Sequence, residues 1–302
     1  MISNVISRRR FWANALAWGE VMKKFLIGLT AAMMAVAPAQ AVTLYGVDEV
    51  NNLVRFDSAD PGTTISSVAI QGLGTGTLLG IDFRAADGFL YGLTDQFRVY
   101  RINSNTGASV LLNTLALTGN SFAFDFNPAN TNLRIVSNDT SNYVLRFSDN
   151  VLVPGINVAY APGGLTNPLI SAAGYTNNDN DPATGTTLYV IDSLNDVLSI
   201  QNAATGVLTR VGDLGVNLGA RTSFDISANS GIGFVQSGST LYNINLTTGA
   251  LTSIGNTSRP LFGLTAAIPE PETWAMMIIG FGIVGAAARS SRRQRKAKSV
   301  TA

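Results

Sequence analysis

Neither cysteine nor histidine occurs in the 302 residues of this chain. The lack of cysteine excludes disulfide bonds, a thiol nucleophile and the usual zinc sites built from thiolates and imidazoles. The lack of histidine excludes a Ser-His-Asp triad. Hydrophobic residues make up 46% of the chain, which is enough for a sizeable packed core. No motif for a cofactor or a metal ion is recognised, and none is expected.

Lysine is also absent from residues 42–268. This stretch has nine arginines against sixteen Asp and Glu residues, a net charge of −7. An acidic body repels phosphate backbones, so binding to nucleic acid is not expected. The excess positive charge lies at the two ends of the chain, which the overall net charge of +1 conceals.

The N-terminal end has the form of a secretory signal. Two lysines precede an apolar stretch over residues 25–37, and Ala39 and Ala41 supply the small residues of an Ala-x-Ala cleavage site. The apolar run is shorter than the roughly 20 residues of a membrane span. We therefore favour a signal peptide over residues 22–41 rather than a buried helix or a membrane anchor, with the mature chain beginning at Val42.

Residues 1–21 do not fit this signal. The three arginines at residues 8–10 lie far from the apolar run, and Glu20 stands between them and it. We expect translation to start at Met22, so that residues 1–21 are an upstream extension that arises from a mis-assigned start. The alternative is that residues 7–11 form a twin-arginine export motif, and either interpretation exports the protein.

The C-terminal end combines a short apolar segment with a basic tail. Residues 274–288 are apolar, and residues 289–302 carry six arginines and lysines. This order is typical of a stop-transfer element, in which positive charge behind a hydrophobic helix stays in the cytoplasm. With fifteen residues, the predicted helix is short for a permanent span and suits a transient one.

The sequence PEPETWAMMIIGFGIVGAAARSSRRQR resembles the PEP-CTERM sorting signal of exopolysaccharide-producing Gram-negative bacteria. The residues that carry the resemblance are Pro269, Glu270, Pro271, Trp274, Arg292 and Arg293. The resemblance implies that an exosortase in the inner membrane recognises residues 268–302, removes the tail and releases the protein to the cell exterior. Exosortase and the export machinery are thus the expected transient partners. A simple membrane anchor is the alternative.

The body of the chain is a repeat. The sequence FLYGLTDQFRVYRINSNTGA at residues 89–108 aligns without a gap to GIGFVQSGSTLYNINLTTGA at residues 231–250. Further copies begin near Leu44, Leu133 and Leu188, so the unit recurs every 43–55 residues. Each unit holds short alternating runs bounded by Gly, Asn-Thr-Gly or Asp-Gly turns. A period of about 40–50 residues with four short strands indicates a β-propeller.

The ends of the repeat predict how the propeller closes. The candidates for the innermost strand of each unit are residues 80–83, 122–126, 172–176, 223–226 and 262–265. The first unit has no such strand before it, and the last candidate has no unit after it. We therefore predict that residues 262–265 complete the first blade and close a ring of five four-stranded blades, which removes exposed sheet edges. A flat stack of sheets or a β-sandwich is the alternative.

Three separated motifs, GIDFRAADGFLYGL, FDFNPANTNLRIVS and AAGYTNNDNDPATGTTLYVID, extend across the body. In these motifs the chain resembles the secreted bacterial family called domain of unknown function 4394, over about residues 42–267. Gly174 interrupts the Ala-Ala-Tyr of that family, and a β-bulge is one explanation. The resemblance implies the identity of the domain and no catalytic residues.

Asp82, Asp125 and Asp225 occupy the same place in three predicted inner strands, each between apolar neighbours. Because strand alternation directs them to one face and inner strands line the channel, we expect their side chains to converge near the axis. The arrangement is similar to that of five-bladed glycosidases, in which two carboxylates hydrolyse a glycan. Those enzymes usually use a glutamate as the acid, whereas Glu49 is the only glutamate of the body.

We therefore favour a structural role for the three aspartates. Each would accept hydrogen bonds from turn amides or pair with a nearby arginine, for which Arg84, Arg134 and Arg221 are the candidates. Binding of a cation or another ligand is one alternative, and catalysis is the other.

Two other polar segments have superficial motifs. Residues 177–181 place oxygen ligands at alternate positions as a calcium loop does, but Pro182 replaces the required glycine and no suitable glutamate follows. A solvated loop is the better interpretation. The glycine-rich residues 72–77 lie between predicted strands with no helix behind them, so they do not predict a phosphate-binding loop.

Together these features predict an all-β protein: a five-bladed propeller over residues 42–267, an N-terminal signal helix and a C-terminal hydrophobic helix. We expect an exported protein of the cell surface or extracellular matrix that passes through the inner membrane only transiently. It would act by binding or structural interaction, with exopolysaccharide, biofilm matrix or surface proteins as partners. The alternative is a carbohydrate-active enzyme that uses the inner-strand aspartates.

Overall fold

Antiparallel β-strands form the regular structure of the protein. The computed structural model describes residues 41–268, except 180, 182, 220 and 229. Twenty-one strands and no helix occur among these residues, so none of them belongs to a helix that could cross a membrane. The predicted signal helix and the predicted hydrophobic helix at residues 274–288 lie outside the described residues.

The strands are short and follow one another closely. The first eleven are β1 (Thr43–Val47), β2 (Asn52–Asp57), β3 (Asp60–Ala69), β4 (Leu78–Phe83), β5 (Leu90–Thr94), β6 (Arg98–Ile102), β7 (Ser109–Thr114), β8 (Phe122–Phe126), β9 (Leu133–Ser137), β10 (Asn142–Arg146) and β11 (Val151–Pro154). The others are β12 (Ala159–Tyr160), β13 (Ile170–Tyr175), β14 (Leu188–Asp192), β15 (Val197–Gln201), β16 (Val207–Asp213), β17 (Thr222–Ile226), β18 (Gly233–Ser237), β19 (Thr240–Ile244), β20 (Leu251–Asn256) and β21 (Phe262–Ala266).

These strands form five sheets, and each sheet is one blade. From the inside outwards, blade 1 is β21-β1-β2-β3, blade 2 is β4-β5-β6-β7, blade 3 is β8-β9-β10-β11, blade 4 is β13-β14-β15-β16 and blade 5 is β17-β18-β19-β20. The innermost strands contact one another in a closed ring, in the order β21, β4, β8, β13, β17 and back to β21. The five-bladed propeller predicted from the repeat is therefore confirmed.

Blade 1 joins the two ends of the body. Strand β21 pairs antiparallel with β1, with Leu44 opposite Ala266 and Tyr45 opposite Thr265. The register shifts by a bulge before Val47 pairs with Phe262. The last strand thus supplies the inner strand that the first unit lacks, as predicted. Every blade then has neighbours on both sides, and the ring encloses the inner edge of each sheet at the axis.

Blade 4 explains the longest step of the repeat. Strand β12 pairs in parallel with β16 and adds a fifth strand at the outer edge of this blade. A polar loop, which includes residues 177–181, lies between β13 and β14 and also lengthens this unit. The register irregularity of β13 falls between Ile170 and Ala172, whereas Gly174 pairs regularly with Tyr189. A bulge at Gly174 is therefore not found, and the extra residue lies nearer the start of the strand.

The hydrophobic core lies between neighbouring blades. The inner strands β8 and β17 are buried at every residue, because a blade covers each of their faces. Tyr91 of blade 2 packs edge-to-face on Phe126 of blade 3, with ring centroids 5.1 Å apart, and Phe147 packs on Phe126 at the same distance. Each apolar layer therefore fixes the position of two blades relative to each other.

Candidate functional site

Three of the five inner strands carry an aspartate at the same register position. Asp82 lies opposite Tyr91, Asp125 opposite Arg134 and Asp225 opposite Phe234, each on the second strand of its own blade. Every one is the last residue but one of its strand. The matching positions of the other two blades are Gly174, opposite Tyr189, and Thr265, opposite Tyr45.

The structure brings the three aspartates together. Their carboxylates each offer an oxygen, and these oxygens lie within 4.8 Å of one another. The side chains are enclosed, because Asp82 is 1% exposed and Asp125 and Asp225 are each 2% exposed. Inner strands from three blades therefore place a compact carboxylate cluster at one end of the axis, away from solvent.

Each carboxylate of this cluster accepts a backbone N–H from the next blade. Asp82 accepts the N–H of Phe126 at 2.8 Å. Asp125 accepts the N–H of Tyr175, and Asp225 accepts the N–H of Ala266 at 2.6 Å. Each aspartate therefore links its own inner strand to the inner strand of the following blade by a hydrogen bond. The sequence alternative of hydrogen bonds from turn amides is wrong, because these donors lie within strands.

Of the two remaining matching positions, Thr265 also links neighbouring inner strands, whereas Gly174 does not. The hydroxyl of Thr265 accepts the N–H of Phe83 at 3.4 Å and lies 3.0 Å from carboxylate oxygens of both Asp82 and Asp225. Gly174 has no side chain to offer the following blade. The N–H of Ile226, which would meet a carboxylate there, donates instead to its own neighbour Asp225 at 2.6 Å.

The arginines of the described part of the chain do not neutralise the cluster. Arg84 pairs with Asp87, and Arg134 donates to Asn142 and to the hydroxyl of Tyr175. The carboxylate near Arg221 belongs to Glu49. The predicted pairing of the inner-strand aspartates with these arginines is therefore wrong. These arginines are engaged by other groups, whereas the aspartates accept N–H groups of the neighbouring blade.

Since no described residue offers them a cationic partner, the aspartates hold their protons more tightly than exposed carboxyls do. Burial, together with the charge of Asp225, raises the pKa of Asp82 to about 7. Burial and the neighbouring carboxylates raise the pKa of Asp125 well above its ordinary value. Burial also raises the pKa of Asp225. Shared protons, including a hydrogen bond between the side chains of Asp82 and Asp125, thus offset the repulsion between the carboxylates.

Three carboxylates at this spacing are also a donor set of the kind that hard divalent cations bind. Their oxygens are already engaged by the N–H groups of the next blades and by the hydroxyl of Thr265. These contacts account for the position of every aspartate. The arrangement therefore acts foremost as a structural junction, and whether it also takes part in catalysis or cation binding stays a hypothesis.

A cavity of about 340 Å³ opens at the other end of the axis, where the inner strands begin. It is lined by Leu78, Leu79, Asn120, Ser121, Phe122, Ser171, Arg221, Thr222, Phe262 and Gly263. No carboxylate occurs among these described lining residues. Below it the axis narrows to a void of about 20 Å³. Gly263 contributes to this constriction, because its φ of 60° brings the chain so close to Gly80 that a Cβ would lie 3.2 Å from that residue's Cα.

Sequence reasoning missed this cavity. Its polar residues lie in or just before the first positions of inner strands, as Asn120, Arg221 and Thr222 do. The repeat gave a usable signal, because it locates the residues that precede each inner strand. The sequence predicts Arg221 only as a partner for an aspartate, not as a residue of a cavity.

The two other polar segments have local roles. In the loop after β13, Asp179 accepts the N–H of Asp181, and Asp181 accepts the N–H of Ala183, each at 2.9 Å. These contacts are those of a solvated turn. The glycine-rich residues 72–77 form the connection between β3 and β4, with no helix among the described residues that follow.

Comparisons with solved structures show limited similarity. The nidogen/laminin complex includes a chain with 14% identity and a TM-score of 0.48, over 76% of this chain and 98% of that one. A protein of unknown function from Bacteroides thetaiotaomicron has 11% identity and a TM-score of 0.47, over 74% and 56%. Glutaminyl cyclase from Myxococcus xanthus has 12% identity and a TM-score of 0.42, over 76% and 97%. No curated protein sequence matches the chain.

Two protein-family models match the chain and together identify its family and its sorting signal. Residues 52–265 match the family described as domain of unknown function (DUF4394), a span that contains all the blades except β1 and the last residue of β21. Residues 267–293 match the PEP-CTERM protein-sorting motif. That motif implies export through membrane-associated sorting and processing by an exosortase. The chain belongs to the DUF4394 family, as a β-propeller with an exosortase sorting signal at its C-terminus.

Proposed function

We propose that this protein is a non-catalytic binding module of the cell surface and of the exopolysaccharide matrix around the cell. The observation that carries the proposal is the separation of the carboxylates from the open cavity. Asp82, Asp125 and Asp225 are enclosed at one end of the axis and hold the N–H groups of neighbouring blades. The cavity that solvent reaches lies at the other end.

This separation argues against hydrolysis of a glycan. A glycosidase of the usual kind places two carboxylates on either side of the bond that it cleaves. The described residues that line the axial cavity supply none, and the void between the cavity and the aspartates, about 20 Å³, is too small for a sugar. Polar groups and aromatic rings at the mouth of a cavity of about 340 Å³ suit binding without turnover.

The sorting signal supports the proposed location. A propeller that an exosortase processes is directed to the outside of the cell. The ligands that we propose there are surface proteins and secreted polysaccharides. The fold suits this place, because its closed ring of blades encloses the inner edge of every sheet at the axis and needs no disulfide bond to do so.

The proposal is tested by turnover and by location. The processed protein, purified from an exosortase-carrying host, is incubated with a panel of bacterial and plant glycans, and released sugars are measured. We expect no product. Product that disappears in Asp125→Asn, and persists in the control Asp213→Asn on the exposed outer strand β16, would overturn the proposal in favour of the carbohydrate-active enzyme.

Location is measured in the same host. Immunodetection of the protein in the matrix and cell-surface fractions should show retention that a wash in mild detergent does not remove. A protein found only in the culture medium, with no binding to matrix preparations, would contradict the proposed function.

A further inference from the structure

Arg221 is held at the mouth of the axial cavity by a neighbouring blade. It precedes β17 of blade 5, and its guanidinium carbon lies 3.9 Å from the ring centroid of Phe262, the first residue of the closing strand. Both residues line the cavity. A guanidinium stacked on an aromatic face is stabilised by cation–π attraction and loses part of its freedom to rotate. The positive charge is thus held in place before any ligand arrives.

The donors of this guanidinium are not engaged by the described part of the protein. Arg84, Arg146, Arg210 and Arg259 each have a carboxylate oxygen at 2.5–3.1 Å. The carboxylate nearest to Arg221 is that of Glu49, at 4.0 Å, and the two side chains are 56% and 70% exposed. A contact of this length between exposed groups contributes little. Arg221 therefore keeps N–H donors for an external anion.

The surroundings of Arg221 suit a sugar that carries such an anion. Thr222 donates its hydroxyl to the carbonyl of Gly219 at 2.6 Å, which leaves an acceptor for a sugar hydroxyl. The side-chain carbonyl of Asn120 accepts from Asn138 at 2.8 Å, and this contact holds the amide at the rim. Phe122 and Leu79 add apolar wall against which the carbon face of a sugar ring can pack.

We infer that the axial cavity binds a carboxylate-bearing sugar, a uronic acid unit of an acidic polysaccharide, with its carboxylate paired to Arg221. Planar guanidinium and carboxylate groups form two parallel hydrogen bonds, which a neutral sugar does not offer. A volume of about 340 Å³ lies near the lower end of the range of ligand cavities, so the occupant is a short or terminal segment. This assignment rests on the proposed binding function and names its ligand class.

The acidic body limits the kind of polyanion that is accepted. Residues 42–268 have a net charge of −7, which repels a long polyanion at a distance. Binding therefore depends on the local pair at Arg221. A short uronate oligomer is expected to bind better, per site, than a long unbroken polyuronate.

The inference is tested by calorimetric titration of the processed protein with trigalacturonate, cellotriose and inorganic sulfate. We expect binding of trigalacturonate alone. Arg221→Gln should weaken that binding at least about tenfold, as expected for the loss of a bidentate charged contact. Arg101→Gln is the matched control, because Arg101 also lies over an aromatic ring, that of Phe89 at 4.7 Å, and does not line the cavity. The control should bind as the unmodified protein does.

Equal binding of cellotriose, equal binding of sulfate, or trigalacturonate binding that Arg221→Gln leaves unchanged would overturn the inference. Absence of trigalacturonate binding would also overturn it. If the protein is still retained in the matrix in that case, only the ligand class is wrong. If retention is lost as well, the proposed function fails with it.

Discussion

The side-chain hydroxyl of Thr265 lies 3.0 Å from a carboxylate oxygen of Asp82, although 183 residues separate the two along the chain. Thr265 belongs to the strand that closes blade 1, and Asp82 belongs to the inner strand of blade 2. The same hydroxyl lies 3.0 Å from Asp225 of blade 5. One side chain therefore links the closing strand to the blades on either side of it.

Replacing this hydroxyl should weaken closure of the ring. Thr265→Val keeps the shape of the side chain, but it leaves the N–H of Phe83 without its acceptor and removes one contact from each of the two carboxylates. We expect a loss of about 1–3 kcal/mol in the free energy of unfolding. Urea unfolding is followed by circular dichroism, because the described residues contain no tryptophan.

Thr252→Val is the matched control, since Thr252 is exposed on the outer strand β20. It should change stability by no more than about 0.5 kcal/mol. Equal effects of the two substitutions would show that the hydroxyl of Thr265 does not contribute to closure.

Stability should fall as the pH rises from about 4 to 7. Asp82 has a raised pKa of about 7, against an ordinary value of 3.8, so in this window the unfolded chain has lost a proton that the folded chain still holds. Folded protein then binds more protons than unfolded protein, and a rise in pH favours unfolding. Each pKa unit corresponds to about 1.4 kcal/mol, so the total decrease is on the order of a few kcal/mol. Unfolding free energies measured across this window check the sign.

Asp82→Asn isolates this contribution. The amide oxygen can still accept the N–H of Phe126, but the side chain no longer ionises. We expect a flatter dependence of stability on pH in this variant than in the unmodified protein. A parallel slope in both proteins would contradict the assignment of the effect to the aspartate cluster.

Gly174 has no side chain that could link its strand to blade 5, and side chains of blade 5 pack against it instead. A Cβ at this position would lie 3.1 Å from the ring of Phe224 and 3.3 Å from the side chain of Ile226. Gly174→Ala should therefore destabilise the protein by about 1–3 kcal/mol through overpacking. Thermal unfolding of this variant is compared with that of Gly185→Ala, where no atom lies within 4 Å of an added Cβ. A neutral Gly174→Ala would mean that the two blades move apart without cost.

The sorting motif predicts the mass of the mature protein. In an exosortase-carrying host, intact-mass spectrometry should show a chain that ends near Pro269–Pro271 and lacks the basic tail with Arg292 and Arg293. The same gene in a host without exosortase should yield a chain that retains the tail. A tail retained in both hosts would show that residues 268–302 act as a plain membrane anchor.

The repeat in the sequence was enough to predict the architecture. Copies starting near Leu44, Leu90 and Leu133 are spaced by one blade each. The first unit lacks an inner strand and the last inner strand lacks a unit, which implies closure. Alternation along the inner strands also placed Asp82, Asp125 and Asp225 on one face. These features are local or periodic, so a single sequence reveals them.

The partners of the aspartates were decided only by the tertiary structure. Their donors are backbone N–H groups 41–50 residues further along the chain, and a backbone group has no sequence signature. Arg134 and Arg221 looked equally suitable as partners in sequence, but packing turned them to other contacts. The axial cavity likewise exists only because closure brings the starts of five inner strands together. The sequence by itself determined the ring and its sorting signal, whereas which groups meet at the axis depends on distances between blades that no single repeat encodes.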